Sequence, residues 1–138
     1  MTFYLSEKSK QRLNGVDTKL REVVFLAIKI TKVDFGIPAY GGIRTKEEQN
    51  QLFRDNKSKA DGYIKYSRHQ SGEAVDFYAY VDGEASYEPE HLSMVACALL
   101  QAASMLGVSV SWGGLWSAGQ EKNGIEYGWD MGHIELGA

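Results

Sequence analysis

The sequence predicts an α+β protein in which a small antiparallel sheet is flanked by helices. Three observations lead there. Two long stretches, 17–31 and 89–106, repeat their apolar residues with helical period. Short stretches at 34–45, 74–80, 108–112 and from Trp129 onward are rich in β-branched and aromatic residues. Helices and strands segregate instead of alternating as βαβ units, which favours antiparallel pairing.

Each element has its own signal. Ser6 opens a short helical turn that ends by Gly15. Asp17 is a suitable N-cap for a helix reaching about Thr31, with Leu20, Val23, Val24, Ala27, Ile28 and Thr31 at steps of three and four. "DFGIPAYGGIRT" reads as extended: its proline is unsuited to a helix interior and its glycines are paired. Thr45 followed by Glu48 is a capping-box pattern, predicting a helix to about Asn56 that buries Leu52 and Phe53. "NKSKADGYIKYSRHQSG" is a long polar connection, and long loops in compact proteins are often functional. "EAVDFYAYVDG" predicts a strand from about Ala74 to Tyr80. Pro89 starts a helix that Gly107 stops after Met105 or Leu106. "VSVSW" is a strand at Val108–Trp112, "GGLWSAGQEKNGIEYG" a loop, and "WDMGHIEL" a terminal strand.

A length of 138 residues predicts one domain, 1–138, with enough chain to bury a core without staples. Net charge is −3 and the basic residues form no block, which disfavours nucleic acid and adhesion to an anionic membrane. The single cysteine, Cys97, excludes an internal disulfide, and its apolar helical setting predicts a buried, inert thiol. The N-terminus lacks the apolar core of a secretory signal, and no stretch approaches the ~20 apolar residues of a membrane span. The chain is therefore expected to be made in a cytoplasm, without stable membrane insertion.

Chemistry concentrates in two segments. Of the three histidines, His91 sits early in a helix and reads as a surface or partly buried polar residue. His69 and His133 each stand near a carboxylate and a glycine, in "HQSGEAVD" and "DMGH". With Asp76 they make an N, N, O donor set of the kind that holds catalytic zinc while leaving a position for water. Gly72 permits a sharp turn between His69 and Asp76. Strand alternation places Val75 and Phe77 toward a core and Asp76 on the other face. Asp130 and His133 are three apart, so a regular strand would separate them, and a bend at Gly132 is needed to bring both to one site. Glu135 shares the His133 face and is a candidate partner for it. Of Tyr66, Trp112, Trp116, Tyr127 and Trp129, at least half are expected in the core, with one or two lining a groove.

"SRHQSGEAVD" resembles the S-x-H-x-x-G-x-A-x-D pattern of the zinc D-alanyl-D-alanine peptidase group, through Ser67, His69, Gly72, Ala74 and Asp76. That group includes vancomycin-resistance dipeptidases and the L-alanyl-D-glutamate endopeptidases used as phage endolysins. "DMGHIEL" resembles its second motif, an acid three residues before the last zinc histidine, and "YGGIRTKEEQ" its arginine-bearing segment. The chain looks most similar to the short phage endolysins. The resemblance implies a D-Ala-D-Ala peptidase/hedgehog-like fold and Zn2+ on His69, Asp76 and His133. It also implies Asp130 as catalytic base and Arg44 stabilising an oxyanion or binding a substrate carboxylate. Ser67 is expected to fix its loop or touch substrate. The implied partner is the peptidoglycan stem peptide, cut at the L-alanyl-D-glutamate bond by a monomer that leaves the host cytoplasm with a holin's help and acts on the wall in the periplasm. Two alternatives stand beside this: a D-Ala-D-Ala carboxypeptidase or dipeptidase, and a non-catalytic wall-binding module of the same fold. The acidic loop through which some relatives respond to calcium is not carried over, because "SAGQEKNGIEYG" is poor in aspartate.

Overall fold

A computed structural model of the chain describes residues 2–117 and 119–137. It is a mixed α+β structure with antiparallel sheets, as the sequence predicts. Helix α1 (Glu7–Arg12) is capped by Ser6, whose hydroxyl accepts from Ser9 N–H at 3.1 Å. Helix α2 (Thr18–Ile30) is capped by Asp17, which accepts from Lys19 N–H at 2.8 Å. It buries Leu20, Val23, Val24, Ala27 and Ile28, packing on the long helix α4 (Pro89–Leu106).

Helix α4 starts at its proline and ends at Gly107, in the left-handed conformation. Its core stripe is Leu92, Val95, Ala96, Leu99, Ala102 and Ala103. Cys97 is exposed, contrary to the buried thiol expected. One residue of helix is about 100° of rotation, so with Ala96 facing the core Cys97 joins Met94, Gln101 and Ser104 on the solvent face.

The strand expected over 74–80 is two strands in different sheets. Strand β2 (Ala74–Asp76) pairs with the terminal strand β8 (His133–Leu136), which also pairs with β5 (Val110–Trp112). Strand β3 (Tyr78–Val81) lies between β1 (Asp34–Gly36) and β4 (Glu84–Ser86). Phe77 is the crossing point: its ring is buried and its N–H donates to Gly132 C=O at 2.8 Å. Alternation survives the break because Val75 and Phe77 both enter one core, which also holds Ile134 and Trp112.

The loop expected at 113–128 contains a short 3-10 turn (Gly113–Leu115) and a hairpin of β6 (Gln120–Lys122) and β7 (Ile125–Tyr127). Its turn is Asn123–Gly124, both at positive φ, and Asn-Gly between extended segments is a strong hairpin signal that hydrophobicity alone does not reveal. Helix α3 (Lys46–Arg54) has the predicted capping box, yet Phe53 is exposed and Leu52 only half-buried. The residue it buries is Gln49. Among the described residues no helix is long and apolar enough to cross a membrane.

Candidate active site

The register of β2 on β8 sets Asp76 directly opposite His133. Opposed residues of an antiparallel pair have Cβ atoms roughly 5 Å apart, so short side chains meet without backbone distortion. Asp76 Oδ1 lies 3.0 Å from His133 Nδ1. His69 arrives from the preceding loop, its Nε2 3.2 Å from the same oxygen. One potential ligand atom from each of the three residues lies within 4.8 Å of the others, and both histidines are buried.

Gly72 makes this loop possible. Its φ is +74°, and a Cβ there would lie 2.7 Å from Gly15 C=O, so both the backbone angle and the space require glycine. Its own carbonyl accepts from Asp17 N–H at 2.8 Å, tying the loop to the start of α2. The bend expected at Gly132 is a turn ahead of β8 instead of a bulge within it. His133 N–H donates to Asp130 C=O at 3.3 Å, and the Asp130 carboxylate reaches to 3.8 Å from His133 Nδ1.

The outer nitrogens of the two imidazoles fix their tautomers. His69 Nδ1 is 2.9 Å from Gly42 C=O, and a carbonyl only accepts, so Nδ1 carries the proton. His133 Nε2 is 2.9 Å from Glu135 Oε1, which assigns its proton in the same way and bears out Glu135 as a partner. In the neutral imidazoles two nitrogen lone pairs therefore face one carboxylate oxygen. That arrangement is repulsive unless a cation, a proton or a metal ion, sits among them. The donor set fits a divalent metal, with each outer N–H held by a carbonyl or carboxylate as metal-binding histidines commonly are.

Charge around the site follows the geometry. Burial pushes the Asp76 carboxyl up, but the hydrogen bonds and positive charge that His133 and His69 supply when protonated outweigh it and hold the group well below the usual carboxylate range. Burial pushes His133 down, yet Asp76, Glu135 and Asp130 together raise it above the ordinary histidine value. Asp130 is raised, chiefly by burial and against the pull of His133. Arg44 is lowered by burial, with Asp76 opposing. It remains a guanidinium all the same.

Arg44 Nη2 donates to Asp76 Oδ2 at 2.8 Å, Nη1 to Gln49 Oε1 at 3.1 Å and Nε to Tyr40 C=O at 2.6 Å. Gln49 is completely buried, and its amide nitrogen donates to Ser58 Oγ at 2.8 Å and Ala60 C=O at 2.9 Å. Sequence reasoning missed Gln49. The available signal was a polar residue one turn into a capped helix, on the face the chain must bury.

Ser67 Oγ accepts from His69 N–H at 3.2 Å, fixing the loop. It also lines, with Arg44, Lys46, Tyr66 and Ser71, a hollow of about 570 Å³ beside the site. His91 lies elsewhere, half-buried and 2.7 Å from Ser86 Oγ. Of the aromatics, Trp112 is in the core, donating to Met131 C=O at 2.7 Å. Trp116 packs on His133, ring centroids 5.2 Å apart, and Trp129 lies against Trp116 at 5.3 Å with the rings tilted by 48°. Trp129 and Tyr66 are exposed and Tyr127 is half-buried.

Residues 1–137 match the family described as phage L-alanyl-D-glutamate peptidase. The chain is 32% identical, over 99% of both chains, to the L-alanyl-D-glutamate peptidase of Escherichia phage T5. Among solved structures it is similar to the L-Ala D-Glu endopeptidase ChiX of Serratia marcescens, with TM-score 0.77 and 29% identity over 97% of this chain and 90% of that one. Whole-length agreement in sequence and in fold places the chain in one group: it belongs to the phage L-alanyl-D-glutamate peptidase family.

Proposed function

We propose that this protein is a zinc-dependent peptidoglycan endopeptidase, a phage endolysin, that hydrolyses the L-alanyl-D-glutamate bond of the stem peptide. The observation that carries the reading is the meeting of His69 Nε2, Asp76 Oδ1 and His133 Nδ1 beside a second acid, Asp130. Family membership supplies the bond. Its relatives' names specify an L-alanyl-D-glutamate peptidase and an L-Ala D-Glu endopeptidase, which favours this over D-Ala-D-Ala cleavage.

His69, Asp76 and His133 would hold the zinc, which supplies Lewis acidity for polarising a carbonyl and acidifying water near neutral pH. Asp130 accepts the proton from the attacking water and delivers it to the departing amine. Its carboxyl is raised, chiefly by burial, which strengthens it as a proton acceptor. Arg44 uses three of its five N–H groups on Asp76, Gln49 and Tyr40. Two remain for an oxyanion or a substrate carboxylate. Ser67 holds the loop that carries His69 and stands at the edge of the adjoining hollow.

The 138 residues act as one catalytic domain and as a monomer. The protein is made in the host cytoplasm and reaches the periplasmic face of the wall with a holin's help.

Digestion of soluble muropeptides followed by mass spectrometry tests the bond. Release of fragments beginning at D-glutamate is expected, whereas loss of terminal D-alanine alone assigns the chain to the carboxypeptidases. Asp130→Ala is expected to abolish cleavage with zinc content unchanged. Lysis that survives this substitution would instead make the protein a binding module.

A further inference from the structure

Arg68 immediately precedes His69 in sequence but turns away from it, toward β8. Its Nε lies 3.3 Å from Glu135 Oε2. Its Nη2 donates to Leu136 C=O at 2.7 Å and lies 3.4 Å from Glu73 Oε2. Glu135 uses its other oxygen, Oε1, on His133 Nε2–H. A continuous polar chain therefore runs from Asp76 through His133 and Glu135 to Arg68, joining the loop that carries one histidine to the strand that carries the other. The loop end is itself fastened: Ser71 Oγ donates to Glu73 Oε1 at 2.6 Å, and Glu73 N–H to Arg68 C=O at 3.0 Å.

We infer that Arg68 is a positioning residue for the metal centre: by engaging Glu135 Oε2 and the carbonyl of Leu136, it holds Glu135 Oε1 on His133 Nε2–H. This fixes the tautomer and ring plane that aim His133 Nδ1 at Asp76 and His69. It rests on the metal reading proposed above.

An ordinary surface ion pair would add little, because Arg68 is 42% exposed and such pairs are weak in water. The arrangement differs from an ordinary pair in what lies beyond it. Glu135 is only 19% exposed, and a carboxylate that orients a metal-binding histidine commonly affects metal affinity more than folding. Freed of Arg68, Glu135 can rotate to solvent, and His133 loses the partner that keeps its proton on Nε2. Lysine cannot substitute, since separate N–H groups of one planar fork meet the Glu135 carboxylate and the Leu136 carbonyl.

The test is zinc affinity, measured on the full chain by competition with a chromogenic chelator, together with thermal unfolding of the metal-free protein. Arg68→Ala is expected to weaken zinc binding about tenfold, with Arg68→Lys recovering little. In a Glu135→Ala background the same change should add less than about twofold, because the route through Glu135 is already cut. The unfolding midpoint of the metal-free protein should barely move. Equal zinc affinity in Arg68→Ala and wild type overturns the inference. So does a full additional loss in the Glu135→Ala background, since Arg68 would then act on the fold. A wild-type protein that takes up no zinc overturns the metal reading itself, a result separable from either of these.

Discussion

His69 and His133 present a nitrogen to the same oxygen of Asp76, but they are held there by different means. His69 sits in a loop with its outer N–H on a backbone carbonyl, Gly42. His133 sits in a strand with its outer N–H on a side-chain carboxylate, Glu135. A carbonyl orients the ring without adding charge. A carboxylate orients it and also raises its affinity for a proton, so Glu135 adds to the upward shift of His133 that Asp76 chiefly causes. The loop half is thus fixed by backbone and by the Arg44–Gln49 scaffold, whereas the strand half is fixed by register and tuned by charge. Substitutions should separate the two halves.

Asp76 is where they join, so its loss should have the largest effect. Asp76→Ala removes a proposed metal ligand and strips Arg44, only 11% exposed, of its anionic partner. Metal binding and peptidase activity should both vanish. Stability should fall by about 3 kcal/mol, at the low end for breaking a buried pair because Asp76 keeps some solvent contact. Chemical denaturation of the metal-free variant and wild type checks this. A variant that still binds zinc tightly would show that the two histidines meet the metal without the residue between them.

Gln49→Ala should break the loop half alone. It leaves Ser58, Ala60 and one arm of Arg44 without their partner at a buried or half-buried position, a loss of about 2 kcal/mol. Activity should fall with it, as Arg44 loses one of its supports, while zinc affinity changes little because the Gln49 side chain bonds to Arg44, Ser58 and Ala60 and not to a proposed metal ligand. Parallel chelator competition and muropeptide assays make the distinction. Zinc affinity falling in step with activity would show that the scaffold reaches His69 as well.

The two halves were unequally legible in the sequence. The strand half could be read nearly whole: alternation put Val75 and Phe77 inside, and Glu135 could be placed beside His133 by counting two residues. The loop half gave up its ligand and its turn, His69 and Gly72, but not what supports them. Backbone carbonyls such as Gly42 and Tyr40 carry no residue-type signal, and a buried glutamine breaks the apolar pattern by which core positions are recognised. The helices were legible from period and caps. The split of the 74–80 strand was not, because changing sheets at Phe77 depends on Gly132, 55 positions on in sequence. Cys97 misled for a simpler reason, since an apolar helix still has an outer face.

The strand half should also respond to pH through His133. A proton and a metal ion compete for His133 Nδ1, so lowering pH through the raised His133 value weakens metal binding about tenfold per pH unit. The decline should begin above pH 6.5, the unperturbed histidine value. Folding of the metal-free protein has the opposite sense. A group whose folded value is raised contributes stability fully present below 6.5 and lost as pH rises through the folded value. Titrations of zinc into the protein from pH 6 to 8, with thermal melts of the metal-free form, measure both. Glu135→Gln should move both transitions to lower pH. Transitions that stay in place would show that Asp76, not the outer carboxylate, sets the proton affinity of this histidine.

The smallest effect belongs to the start of α3. Thr45 Oγ accepts from Glu48 N–H at 3.1 Å, and Glu48 Oε1 accepts from Thr45 N–H at 2.9 Å. This reciprocal cap fixes the first turn of the helix that carries Gln49, and so the approach of Arg44 to Asp76. Thr45→Ala removes one side of it and should lower stability by about 1 kcal/mol. Because the cap reaches Asp76 only through intervening residues, Gln49 and Arg44, zinc affinity and its pH dependence should match wild type within error. If the loop half is held as rigidly as its backbone contacts imply, activity should drop by less than about twofold, fraying at Thr45 being absorbed before it reaches Gln49. A larger drop at unchanged zinc affinity would place the flexibility of the site in its loop half, and would make the capped turn, more than the buried glutamine, the element that sets the position of Arg44.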